Sequence, residues 1–414
     1  MSLKENMFRN YKKILLIIGF LIIVIILGWI IYAVFFKSAT QPAGITDIKP
    51  GTQGELPTAK EGSGQIVSPD EQYPLPSEQQ KTKQPDSKAL GGLTQTTELS
   101  QTSSLFPILS NDGSSLQYYS DQDGMFYRID ENGKATALND KIFHNVQNIT
   151  WSPDSNKAIL EYPDGANIVY DFSTNKQVTL PKHWEDFDFA PNSKQIVMKS
   201  IGLDPNNRWL AISNADGSQS KTIEFIGENA DTVYPSWSPN NQSIAMYTKG
   251  VDFNQQEVFY VGLHDENFKS TIIEGRDFRY KWAPSGDKML YSVYSTDNDL
   301  KPMLWTVNAQ GDTIGSNRKS LKIETWADKC VFANSNDLYC AVPKTLEQGA
   351  GLFTELAKNT PDTLYKIDIR TGFKKLIAVP DQEFNMSNLI ISKDNVNLYF
   401  TDNRTKKLHK IQLK

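Results

Sequence analysis

One phrase recurs along this chain and restricts its fold more than any other feature. Trp151-Ser-Pro-Asp-Ser-Asn-Lys, Phe189-Ala-Pro-Asn-Ser-Lys, Trp237-Ser-Pro-Asn-Asn-Gln and Trp282-Ala-Pro-Ser-Gly-Asp-Lys are versions of it. Weaker copies begin at Leu109, Phe332 and Ile391, so seven anchors fall at 109, 151, 189, 237, 282, 332 and 391. Spacings of about 38–59 residues are those of a radially repeated β-unit. Each copy has the same grammar. An aromatic or large aliphatic residue ends a strand, then Pro, Asn, Asp, Gly and Ser make a turn. β-rich runs follow at 158–162, 243–247, 288–291 and 397–400. A third run comes next (124–129, 257–261, 363–367), then a polar turn and a short fourth run such as 177–180 or 374–377.

Four antiparallel strands per copy expose two apolar faces, which one sheet cannot cover alone and which radial stacking buries. The expected fold over 105–414 is therefore all-β, a seven-bladed propeller with four-stranded blades. Trp151, Phe189, Trp237, Trp282 and Phe332 are expected between blades. The last copy has room for only three strands, so the missing outer strand is expected from 94–103, closing the ring. Cys330 and Cys340, the only two Cys, flank one hairpin turn. Its register can set them opposite each other, either as a disulfide or as two buried thiols; an exported domain favours the disulfide.

The segments ahead of the repeats differ in kind. Residues 14–36 form an uncharged, almost wholly apolar run. As a helix it measures about 34 Å, enough for a bilayer core of about 30 Å. It is too long for the apolar region of a cleavable signal peptide. Lys4, Arg9, Lys12 and Lys13 precede it and only Lys37 closely follows. The expected topology is a cytoplasmic 1–13, a single transmembrane helix at 14–36 and an outer remainder, which places the propeller on the extracytoplasmic side of a cell (inner) membrane. Residues 37–104 are rich in Gln, Thr, Ser, Pro and Gly, with Tyr73 as their one aromatic, and read as a disordered linker.

The repeat resembles the WD40-like repeat of TolB-type β-propellers, found also in the propeller domains of prolyl oligopeptidases and dipeptidyl peptidase IV. The likeness rests on Trp-Ser-Pro-Asp, the β-run after it and the Asp-Gly or Thr-Gly turns at 216–217 and 371–372. The 330–343 stretch also looks like a blade of membrane-anchored bacterial propellers. The resemblance implies a cell-envelope module acting through protein partners, and it is specific for fold rather than for function. The peptidases' catalytic domain has no expected counterpart, since no Gly-x-Ser-x-Gly occurs and no unassigned length remains to hold it.

A net charge of −5 lacks the basic excess that a phosphate backbone demands, so no nucleic-acid partner is expected. Two Cys and four His offer little for a metal, and neither metal nor cofactor is expected. Candidate binding residues lie on the segments entering the innermost strands: Trp184, Asp186, Tyr234, Arg279, Tyr280, Trp326 and Phe384. An insertion at 344–362 adds Leu352, Phe353 and Leu356, whose spacing predicts a shared helical face opening on the same side. Aromatics with a few charges at a propeller rim suit a peptide, protein or glycan partner. The expected role is binding and scaffolding, not catalysis. The alternative is channel-based hydrolase or lactonase-like chemistry, with Asp186 and Asp188 as its nearest carboxylates.

Overall fold

A computed structural model describes residues 92–413 except Asn267, together with Ile25, Leu27 and Trp29. The predicted span at 14–36 thus lies outside the described residues apart from those three, which are helical and exposed. Among the described residues no helix is long and apolar enough to cross a membrane. The linker expected over 37–104 likewise lies outside them up to residue 91.

The repeat builds its turn by one device. In six copies the fourth residue after the anchor is left-handed: Gly113, Ser155, Ser193, Asn241, Gly286 and Asn395, with φ between 51° and 79°. Gly has no Cβ to oppose that conformation, and Asn tolerates it better than most residues. The residue just before it, where it is Asp or Asn, caps the turn. Asp112, Asp154, Asn192, Asn240 and Asp394 each accept the backbone N–H two residues on, at 2.8–3.2 Å. The recurring Pro-Asp/Asn-Ser/Asn string is therefore the chemistry of a tight strand connection.

Seven four-stranded antiparallel sheets result. Their innermost strands are Leu105–Leu109, Asn148–Trp151, Trp184–Phe189, Val233–Pro235, Arg276–Trp282, Cys330–Phe332 and Met386–Ile391, for blades one to seven. In blades one to six the outermost strand is the fourth in sequence, for example Lys176–Leu180 or Lys374–Ala378. Blade seven is different. Its outer strand is Thr96–Glu98, paired antiparallel to the chain's last strand as Thr96↔Ile411, Thr97↔Lys410 and Glu98↔His409. Ring closure thus joins the two ends of the domain, and its last strand comes from residues that composition places in the linker.

Seven apolar clusters fill the seven gaps between neighbouring blades. Blades two and three share Ile159, Val169 and Leu180 with Trp184, Phe187 and Phe189. Blades three and four meet around Trp237 and Ile244, and blades five and six around Leu290, Phe332 and Leu338. Trp151 and Trp282 pack against the clusters at the one–two and four–five gaps. The closing gap between blades seven and one holds Leu99, Leu116, Tyr118, Ile129, Tyr399 and Leu408. Burying each such side chain contributes roughly 1.5–3 kcal/mol, and no blade gains it without both neighbours. In blade six Cys330 faces Cys340 across the inner hairpin, and the two are joined as a disulfide with Cα atoms 4.0 Å apart.

Candidate functional site

Four of the seven innermost strands are irregular in the same way. Blades one, three, five and seven carry a register shift, between Leu105 and Ile108, Glu185 and Asp188, Arg276 and Arg279, and Ser387 and Ile390. Each shift contains a left-handed residue: Phe106, Asp186, Asp277 or Asn388, with φ of 48–58°. Blades two, four and six pair without such a shift. A β-bulge leaves its extra residue outside the ladder and re-aims the side chain. Phe187, Phe278 and Leu389, which follow, remain buried between blades, while Asp186, Asp277 and Asn388 are exposed on the channel wall.

Around the bulge of blade three the mouth of the channel widens into a cavity of about 420 Å³. It is lined from four successive blades by Asn148, Asp186 with Lys199, Tyr234 and Tyr280, and by Asp231 on the connection into blade four. Lys199 is almost buried, and its Nζ lies 2.5 Å from Asp186 Oδ2 while donating to the Ala230 carbonyl at 2.8 Å. The bond to Ala230 therefore ties blade three to the connection entering blade four. Asn148 Nδ2 donates to Glu161 Oε2 at 2.5 Å. Burial raises the Glu161 carboxyl above the usual carboxylate range, and the charges of Asp186 and Glu185 push it the same way. Burial also raises the Tyr280 phenol, so the phenol is neutral and its O–H is a donor at ordinary pH. Tyr234 and Tyr280 stand edge to face with ring centres 6.2 Å apart.

The remaining candidates are placed as follows. Arg279 forms a second polar cluster beside the cavity, bonded to Asp277 at 2.9 Å and Asp328 at 3.3 Å, with Trp326 under its guanidinium at 5.9 Å. Trp326 itself is buried, so it supports Arg279 rather than meeting a ligand. Trp184 belongs to the core between blades two and three, and Phe384 packs on Phe400 and His409 in the core of blades six and seven. Both are removed from the candidate surface by burial. Asp188 does not line the cavity. It accepts the backbone N–H groups of Trp237 at 2.6 Å and Phe189 at 2.9 Å, pinning blade three to blade four.

Leu352, Phe353 and Leu356 are exposed on the rim of blade six, yet they do not share a helical face. Only Thr354–Ala357 forms a single 3-10 turn, and Leu352 and Phe353 precede it. The cause lies in the neighbouring loop, where Gly349 and Gly351 donate to the carbonyls of Asp299 and Leu300. Those bonds fix the start of the insertion against blade five, and the residues from there to the strand at Asp362–Asp368 close in a 3-10 turn rather than an α-helix. Sequence reasoning missed Lys199, Asn148 and Glu161. Lys199 carried a signal, a cation inside the apolar run 195–201, where only a buried partner satisfies it.

Among the described residues, no group of three or more His, Cys, Asp or Glu is arranged to hold a metal ion. No family model matches the chain, and no curated protein matches it. Among solved structures it is similar to an oligogalacturonate lyase in complex with manganese, at 14% identity over 77% of this chain and 93% of that one, TM-score 0.49. It is similar also to the oligogalacturonate lyase of Vibrio parahaemolyticus, at 11% identity over 77% and 93%, TM-score 0.49. The Cps50 (Swd1) β-propeller domain of Myceliophteria thermophila aligns at 11% identity over 77% of this chain and all of that one, TM-score 0.49. These likenesses carry no substrate or chemistry to this chain, and the seven-bladed architecture rests on its own strand order.

Proposed function

We propose that this chain is a membrane-anchored binding module, held by residues 14–36, whose propeller presents its channel mouth to a peptide or glycan partner on the outer side of the membrane. The observation that carries the reading is the composition of the mouth cavity. Two phenols, an amide and an ion pair between buried Lys199 and exposed Asp186 converge there from four blades. Such a surface offers aromatic planes for stacking and several hydrogen-bonding groups of fixed orientation, which suits a polar, extended ligand. Asp186 is neutralised by Lys199 and held by a bulge, so its role in this reading is to orient a ligand rather than to transfer a proton. The Lys/Arg asymmetry about 14–36 and the TolB-type resemblance of the repeats support the envelope location.

Two measurements test it. Peptide and glycan libraries are screened against the full chain in non-ionic detergent, then against Tyr234→Ala and Asp186→Asn. Ligands of the mouth lose at least about tenfold in affinity in both variants, roughly the 1.4 kcal/mol of one lost contact. Hits that bind wild type and both variants alike would place recognition elsewhere. Protease added to spheroplasts removes the propeller under this reading; protection until the membrane is permeabilised would reverse the topology.

A further inference from the structure

Blade stacking also builds a concavity on the face opposite the mouth. In an antiparallel blade the turn between third and fourth strands opens on the side away from the connections that enter the next blade. There, between blades five and six, a cavity of about 440 Å³ is lined by Lys288, Arg318, Lys319 and Arg370 over a floor that includes Thr306 and Val307. No carboxylate belongs to that lining. The cations come from three separate segments: the start of the second strand of blade five, the start of its outermost strand, and the polar turn of blade six. They meet only because the blades stack.

Their bonds are those of cations with capacity to spare. Arg318 pairs with Glu274 at 2.7 Å, Arg370 with Asp368 at 3.3 Å, and Lys288 approaches Asp287 at 3.8 Å. These acids stand outside the lining, and each pair has a partly exposed member, so water competes for it. Lys319 reaches across to blade six, where Nζ donates to the Arg370 carbonyl at 3.0 Å. In the other direction Lys374 Nζ donates to the Lys322 carbonyl at 2.7 Å. Neither lysine is within ion-pair distance of a carboxylate among the described residues, and each ammonium has further N–H donors. The exposed Lys322 and Lys375 extend the basic strip along the outer strands. In a chain of net charge −5 this is a local inversion of sign.

We propose that this cleft is an anion-binding site for a phosphate-bearing chain, a polyphosphate. The cavity is larger than one phosphoryl group and its cations are distributed along it, so it suits successive anionic groups rather than a single ion. Each internal phosphoryl group of such a chain carries two non-bridging oxygens and each terminal one three, so anionic acceptors recur along its length. Ammonium points and guanidinium forks arriving from several directions can then be satisfied together.

Inorganic tripolyphosphate is the probe, titrated calorimetrically into the full chain in non-ionic detergent at low salt. Saturable binding is expected, weakening about tenfold or more at high ionic strength. The double variant Lys288→Gln/Lys319→Gln should bind at least about tenfold more weakly with an unchanged melting temperature. Lys134→Gln/Lys194→Gln, with the same charge change on exposed residues of blades one and three, should bind as wild type does. No saturable binding, or equal loss in the two double variants, overturns the site. Citrate binding as tightly as tripolyphosphate overturns its preference for phosphate.

Discussion

If the ring is closed by Thr96–Glu98, the residue just after that strand should hold the last seam shut. Leu99 is 5% exposed and packs with Leu116, Tyr118 and Ile129 of blade one and Tyr399 and Leu408 of blade seven. Its N–H donates to the Leu408 carbonyl at 2.8 Å. Leu99→Ala removes three carbons from a site bounded by two blades whose strands cannot collapse inward without breaking ladder bonds. The cost is accordingly about 2–4 kcal/mol, within the range for buried Leu→Ala changes. For a domain of this size that is a fall in melting temperature of about 3–6 °C. Leu93, 64% exposed and on the same segment, is the control, and Leu93→Ala should stay within about 0.5 kcal/mol of wild type. Starting the chain at Gly92 should leave the fold intact. Starting it at Ser104 also removes the strand pairing and the Lys407–Glu98 bond of 2.9 Å, and uncovers Leu408 and Ile411, both 0% exposed. The combined loss is on the order of 5 kcal/mol or more, comparable with the whole net stability of many domains, so cooperative melting should disappear. Differential scanning calorimetry reads all four proteins. Equal melting of the two substitutions, or of the two truncations, would refute closure by this strand.

Asp188 offers a test by pH: burial raises its carboxyl from 3.8 to about 6, against the pull of two backbone N–H donors. The proton is held more tightly in the folded state, so this contribution is fully present below about pH 4 and lost as pH rises through about 6. It amounts to at most roughly 3 kcal/mol. The wild-type stability curve measured by urea denaturation should therefore lose that amount over this window relative to Asp188→Asn; parallel curves would exclude the buried carboxylate as the cause. The Cys330–Cys340 disulfide closes a short loop, so Cys330→Ala/Cys340→Ala should cost roughly 2–3 kcal/mol by loop entropy. Mass spectrometry of unreduced, alkylated protein should show no labelled thiol. At Ser155, with φ of 51°, Ser155→Val should cost at least about 1 kcal/mol through its Cβ branch while Ser155→Gly stays near neutral, and equal effects would contradict the turn conformation.

The division between what the chain's letters disclose and what they conceal follows from period. Blade number, strand order and the core aromatics obey rules repeated seven times, and the anchor, the capping Asp or Asn and the left-handed fourth residue all act within a few residues of one another. The closing strand was legible because the last copy runs out of chain, although Thr96–Glu98 itself looks like linker. The mouth of the channel is built from exceptions. Asp186, Asp277 and Asn388 face the channel only because the ladder slips there, and a slip has no signature in a two-residue alternation. Strict alternation assigns Asp186 and Asp188 to the same face; the bulge separates them, one to the cavity and one to the backbone of Trp237. Trp184 and Phe384 fail as site residues for a related reason. Large aromatics at the head of an inner strand lie within reach of the next blade, and an interblade gap covers a ring more completely than an open rim does.

The bulges also decide where binding can reside on an otherwise uniform ring. Seven near-equivalent inner strands would give a channel wall with seven similar sides and no preferred orientation for a ligand. Slips in blades one, three, five and seven break that uniformity around the ring, and those of blades three and five flank the cavity. The slip of blade three sets Asp186 against Lys199, and that of blade five sets Asp277 against Arg279. Tyr234 and Tyr280 lie between those two ion pairs, each on an innermost strand paired with the second strand of its own blade. A ligand seated on the phenols would thus meet a different charged pair at each end, so its direction across the mouth is specified by the protein. Reversing one pair through Asp277→Lys/Arg279→Glu should weaken a charged, directional ligand and leave a neutral one unchanged. Equal weakening of both ligands would show that the pair acts by shaping the loop rather than by orienting what binds there.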